Sequence, residues 1–353
     1  MNKKIYSLVI FLLMFCLSLA AQENSGSSDL SDFMKKRNSG NAYNKGITNL
    51  RLNKYQEALE NFDEAININP TFDLAYLTRG KTKFQLSDYT GALEDVTKAL
   101  EINKSSGEGY YALGYIMLRK DTASASIETF DKAIQNGYAE PNVYYYRGIL
   151  KAYKKDAAGA LNDLSVAIEK KPDYTVAYFD RGNIKMVSGD FQGAIYDYRR
   201  ALSIDTTIIS AYNNTANAKT HIGDLQGAIQ DYTKLLQIDP KNFVAITNRG
   251  SAKYQTSDYQ SAIDDFKAAI SINDKYASAY SNLGNALSKS GDNKAAMEQY
   301  NKALQLNSNF GDAYLNRGLV KELAGDLDGA CSDWKAADKL GVSDASKYVK
   351  ECK

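Results

Sequence analysis

Nine glycine or alanine residues recur at intervals of 34 without a slip: Gly46, Gly80, Gly114, Gly148, Gly182, Ala216, Gly250, Gly284 and Gly318. A fixed period of this length is the mark of one supersecondary unit copied in tandem. Each copy buries its apolar face on its neighbours rather than around a common centre. A chain of 353 residues would otherwise be expected to divide into two or three compact domains. The period predicts one elongated array of about nine units.

Within the unit the same skeleton returns. Tyr178, Arg181-Gly182, Gly189-Asp190-Phe191, Ala194, Asp197 and Ala201 reappear as Tyr76, Arg79-Gly80, Asp88-Tyr89, Ala92, Asp95 and Ala99. They reappear again as Tyr314, Arg317-Gly318, Gly325-Asp326-Leu327, Ala330, Asp333 and Ala337. The unit reads as helix, tight Gly-Asp or Ser-Asp turn, helix. The turn aspartate suits an N-cap, because its carboxylate accepts the free N–H groups of the second helix. Pro70, Pro172 and Pro240 stand where units end.

The pattern resembles the tetratricopeptide repeat family over residues 39–342. The match lies in an aromatic residue at position 4, small residues at 8, 20 and 27, and proline at 32. The units are 39–72, 73–106, 107–140, 141–174, 175–208, 209–242, 243–276, 277–310 and 311–342. The resemblance implies an all-α, right-handed solenoid of helix-turn-helix units. Small residues at 8 and 20 let the two helices approach; larger ones would overpack at a cost of about 1–3 kcal/mol each. The third unit departs most, with Ser126 at position 20, no proline, and Asp121-Thr122-Ala123-Ser124 at its turn. It is expected to be the loosest joint.

Position 7 is arginine in five units, and each has aspartate sixteen residues later. The pairs are Arg79 and Asp95, Arg147 and Asp163, Arg181 and Asp197, Arg249 and Asp265, and Arg317 and Asp333. Asp231 alone stands at position 23 without a preceding arginine. A turn near position 15 folds 7 onto 23, so an ion pair inside the repeat is expected. The alternative is a row of arginines gripping an acidic ligand.

In the family the first helix of each unit lines the concave face, where positions 2, 5, 6, 9, 12 and 13 often meet ligand. The amino-terminal half of the array is aromatic at these positions, with Tyr111, Tyr115, Tyr145, Tyr146, Tyr153 and Phe179. The carboxy-terminal half carries amides: Asn214, Asn248, Asn282 and Asn316 at position 6, Asn217 and Asn285 at position 9. Asparagine is a modest helix former, but its amide is both donor and acceptor. A row of amides can hold the backbone of an extended peptide without reading its side chains. Position 6 is similar to the asparagine ladder in the repeat domain of O-linked N-acetylglucosamine transferases; no transferase domain accompanies it here. The other reading is that these asparagines bond only to neighbouring helices.

The two ends differ from the array. Lys3-Lys4, the apolar run Ile5 to Leu19, and Leu19-Ala20-Ala21 read as a cleaved export signal over 1–21. A lipoprotein reading at Cys16 meets bulky Phe15 where a small residue is wanted. Residues 22–38 are expected as a flexible lead, with Asp29 to Arg37 forming a short helix over the first repeat. At the other end 343–353 reads as a capping helix, which solenoids need. Cys331 and Cys352 flank a turn near Gly341, so an antiparallel hairpin would set them side by side for a disulfide. Two free thiols are the alternative.

Lys and Arg number 43 against 42 Asp and Glu, a net charge of +1. No basic excess exists for phosphates, which argues against nucleic acid as the main partner. His221 is the only histidine, and no metal or cofactor set surrounds it in sequence. Gly107-Glu108-Gly109-Tyr110-Tyr111-Ala112 imitates a dinucleotide fingerprint but lacks the preceding strand. The expectation is a non-catalytic, exported scaffold of the periplasm or outer membrane, or secreted, without cofactor. It would bind a protein or peptide in its concave groove and take part in an envelope complex. The alternative is a self-associating spacer.

Overall fold

The computed structural model describes residues 30–119 and 123–352. The expected signal over 1–21, residues 22–29 and the third repeat's turn at 120–122 lie outside the described residues. So do the side chains of 123–125. Among the described residues every regular element is a helix. The chain divides into two compact units, residues 1–170 and 171–353.

The first unit holds α1 (30–51), α2 (Tyr55–Ile68), α3 (Asp73–Gln85), α4 (Tyr89–Ile102), α5 (Gly107–Arg119), α6 (Ala123–Gln135), α7 (Pro141–Tyr153) and α8 (Ala157–Lys170). The second holds α9 (Thr175–Val187), α10 (Phe191–Ile204), α11 (Ile209–His221), α12 (Leu225–Ile238), α13 (Phe243–Gln255) and α14 (Tyr259–Ile272). It continues with α15 (Ala277–Lys289), α16 (Asn293–Leu306), α17 (Gly311–Leu323), α18 (Leu327–Lys339) and α19 (Ala345–Val349). From α2 to α8, and again from α9 to α19, each helix packs on the one before and the one after it.

The turn chemistry follows the sequence. Asp88, Asp190, Asp224, Asp258, Asp292 and Asp326 each accept a hydrogen bond from the backbone N–H three residues on. Asp156 does the same for Gly159 at 2.9 Å. The residue before each aspartate turns left-handed: Gly189 has φ +83°. Ser87, Lys155 and Ser257 take that conformation without being glycine.

Position 8 is small because position 24 of the same repeat is large. A methyl added to Gly182 would lie 2.7 Å from the Tyr198 ring, and one on Gly284 would lie 2.7 Å from Tyr300. Ala216 shows that a methyl can be housed: Tyr232 opposite it is still buried.

The carboxy-terminal end of the array is made polar. Position 28 is Ile or Leu in eight repeats; in the ninth it is Asp338, which accepts a hydrogen bond from the Ser346 hydroxyl. The α19 cap has only five residues, far shorter than 343–353. Cys331 and Cys352 are joined at an S–S distance of 2.07 Å, and Trp334 stacks on Tyr348 at 4.9 Å. At the other end, residues 30–38 are not a separate helix over the first repeat. They run unbroken into α1 and are exposed. No proline interrupts the run, and Gly40 alone costs a helix about 1 kcal/mol.

Candidate functional site

Two constellations repeat through the molecule, and they separate framework from available surface. The first is a charge clasp. Arg181 donates from Nε and Nη2 to the two carboxylate oxygens of Asp197 at 2.9 and 2.6 Å. Lys185 at position 11 reaches the same carboxylate at 2.8 Å, and Asp197 is fully buried. The geometry recurs at Arg79, Lys83 and Asp95; at Arg147, Lys151 and Asp163; at Arg249, Lys253 and Asp265; and at Arg317, Lys321 and Asp333. Such a bidentate fork fixes helix register.

Arg79, Arg147, Arg249 and Arg317 also reach back to position 25 of the preceding repeat, at Asp63, Asp131, Thr233 and Asn301. Hydrogen bonds to Asp95 hold the Arg79 guanidinium above its ordinary range, against the effect of burial. The arginine row is therefore engaged within the array. The lysine is the part that pairwise sequence reading missed. Aspartate at 23 occurs in the six repeats with lysine at 11 and in none of the other three. Asp231, which lacks an arginine, has Lys219 at 2.5 Å.

The second constellation is the amide network of the second unit. Buried phenols at position 24 need hydrogen-bond partners. Tyr198 donates to Asn183 Oδ1 at 2.9 Å and Tyr300 to Asn285 Oδ1 at 2.7 Å, while Tyr232 donates to Asn217. Asparagine at 9 occurs only in the three repeats with tyrosine at 24. Asn183, at position 9 of repeat five, belongs to this set beside Asn217 and Asn285, although the sequence pattern singles out only those two. The position-6 amides then link first helices of adjacent repeats. Asn214 donates to Asn183 at 3.0 Å, Asn282 to Ser251 at 3.3 Å and Asn316 to Asn285 at 2.9 Å. Asn248 lines a hollow of about 230 Å³ with Asn217, Thr220, His221, Ser251 and Gln255. His221 is stacked on Phe191 at 4.5 Å. Burial raises Tyr198 and Tyr232 to about 12.

The first unit presents rings instead. Tyr111 stacks on Tyr115 and on Tyr138, with centroids 6.1 and 4.7 Å apart, and accepts a hydrogen bond from Asn142 at 2.8 Å. Tyr145 meets Tyr146 edge-on at 5.2 Å. Phe179 lies in the second unit and packs on Tyr198 at 5.7 Å. Among the described residues no cluster of three metal-ligating side chains occurs, and no helix is long and apolar enough to cross a membrane.

Tetratricopeptide repeat models match residues 41–72, 77–141 and 209–242, and a TPR repeat model matches 250–291 and 284–325. The chain belongs to the tetratricopeptide repeat family. Members serve as protein–protein interaction scaffolds, a role that needs no catalytic residues.

Among solved structures, the C-terminal part of a TPR repeat-containing protein from Cytophaga hutchinsonii is 19% identical. It covers 67% of this chain and 98% of its own, with a TM-score of 0.57. MamA is 31% identical over 47% of this chain and 96% of its own, with a TM-score of 0.42. YrrB, described as a TPR protein with an unusual peptide-binding site, is 22% identical over 52% and 95%, with a TM-score of 0.49. No curated protein matches the chain.

Proposed function

We propose that this chain is an exported scaffold of the cell envelope that holds an extended protein segment against the first helices of its second unit. The observation that supports the reading is the character of those helices. At positions 5, 6, 9 and 12, repeats six to eight carry Asn213, Asn214, Asn217, Thr220, Thr247, Asn248, Ser251, Tyr254, Ser281, Asn282, Asn285 and Ser288. Every one is polar and uncharged; Thr247 and Ser281 are buried and the other ten are partly exposed. Hydrogen bonds spend part of the capacity of Asn214, Asn282 and Asn316 and hold their rotamers. An asparagine that donates one N–H to its neighbour keeps a second N–H and a carbonyl oxygen for a ligand. Preorganised donors and acceptors of this kind suit peptide backbone, and they lower the ordering cost of binding. The apolar leader read at 1–21 and the disulfide at the cap both fit an oxidising compartment outside the cytoplasm.

A second reading is favoured by the match between asparagine at 9 and tyrosine at 24: the amides serve only the array. Replacing Asn248 and Asn282 together by Ala separates the two, because both are position-6 residues and the phenol partners at 9 stay. Crosslinked capture of partners from the native envelope fraction is the measurement. The binding reading expects capture to fall with helicity unchanged. Unchanged capture supports the structural reading and overturns the proposal.

A further inference from the structure

The third repeat breaks the pattern at several positions, and in the structure these departures converge. Position 32, proline in three other repeats, is Tyr138. Positions 5 and 9 are Tyr111 and Tyr115. Position 1 is Gly107, and a methyl there would lie 2.7 Å from the Asn136 carbonyl oxygen and 2.9 Å from the Tyr138 nitrogen. Those are backbone atoms and cannot give way. Glycine at 107 therefore lets the end of α6 close on the start of α5, which lays Tyr138 over Tyr111.

The result is a hollow of about 380 Å³. Phe84, Tyr111, Tyr115 and Tyr138 line it together with the buried Ala112 and Ile116. Phe84 meets Tyr115 at 5.2 Å. At the rim Lys81 pairs with Glu108 at 2.7 Å, and both side chains are about half exposed. An ion pair so exposed contributes little stability and opens readily.

We propose that this hollow takes one planar apolar side chain, aromatic or proline, from an extended protein segment. Its volume lies at the small end of the range for ligand pockets. Stacked ring faces favour a flat apolar group. The rim offers one cation and one anion, which complement the carbonyl and N–H groups flanking an inserted side chain. A free organic cation is disfavoured: Arg119 already lies over Tyr115 at 6.0 Å, and Lys81 stands at the mouth. The proposal rests on the chain being a binder of protein segments, but not on the amide row.

The test is saturation-transfer NMR on the full chain with N-acetyl-tryptophanamide as probe. N-acetyl-alaninamide, methyl glucoside and tetramethylammonium serve as comparisons. The tryptophan probe is expected to bind at least about tenfold tighter than the alanine probe and to shift the methyl resonances of Ala112 and Ile116. Tyr138→Ala should remove that preference with helicity kept. The Asn248→Ala, Asn282→Ala pair should leave it intact. Equal binding of the two amides, tighter binding of the glucoside or the ammonium ion, or no shift at Ala112 and Ile116 overturns the proposal. Failure of the amide reading shows instead as unchanged partner capture in the asparagine pair, whatever the probe does.

Discussion

The two units are built on one framework and finish it differently. Repeats two and four in the first unit carry the same arginine-lysine-aspartate clasp as repeats five, seven and nine in the second, with the same oxygens and nearly the same distances. What changes is the residue at position 24 and everything it entails. In the first unit it is Phe62, Val96, Phe130 or Leu164, which ask nothing of their surroundings. In the second it is Tyr198, Tyr232 and Tyr300 in three repeats of five. A buried phenol needs an acceptor, the acceptor is asparagine at 9, and Asn214 and Asn316, at position 6 of the next repeat, bond to two of these acceptors. The amide face grows outward from a core choice. The aromatic hollow of the first unit arises where that choice was not made and a glycine lets two helices close up.

The comparison breaks first at the clasp if it is wrong. Asp163→Leu in the first unit and Asp197→Leu in the second should each cost about 3–5 kcal/mol, because each removes the buried carboxylate that an arginine and a lysine share. Urea denaturation of both variants checks this. A large loss in one unit and none in the other would show that the framework is not shared.

A smaller effect separates the units by pH. Burial raises Tyr198 and Tyr232 to about 12, above the ordinary value of about 10. The neutral phenols stabilise the fold in full below about pH 10, and that contribution is lost as pH rises through about 12. No position-24 residue in the first unit titrates. Alkaline unfolding followed by hydrogen exchange should therefore open α9 to α12 before α3 to α8. The opposite order would remove the distinction at position 24.

The helical array was legible because nine copies act as their own alignment, and a turn near position 15 dictates that 7 faces 23. The clasp lysine is equally periodic at position 11, but the arginine already satisfies the aspartate on paper and hides the need for a second cation. Asn217 and Asn285 could be found as surface candidates, whereas their bonds to Tyr232 and Tyr300 span fifteen residues and two helices. The hollow was the least legible. Tyr138 and Tyr111 share no repeat position, and only the close approach at Gly107 brings them together. Residues 30–38 are helical as expected, but nothing in the polar, serine-rich sequence upstream marks that the helix continues without a break to residue 51.

Gln85 and Gln255 stand at the same repeat position, exposed beside the aromatic and the amide hollow respectively. Lys267, on the second helix of repeat seven, is exposed away from both. A photo-crosslinking residue placed at each of the three, in cells, tests directly whether partners meet the first helices. The account predicts adducts from positions 85 and 255 and none from 267. Adducts from 267 alone would contradict it.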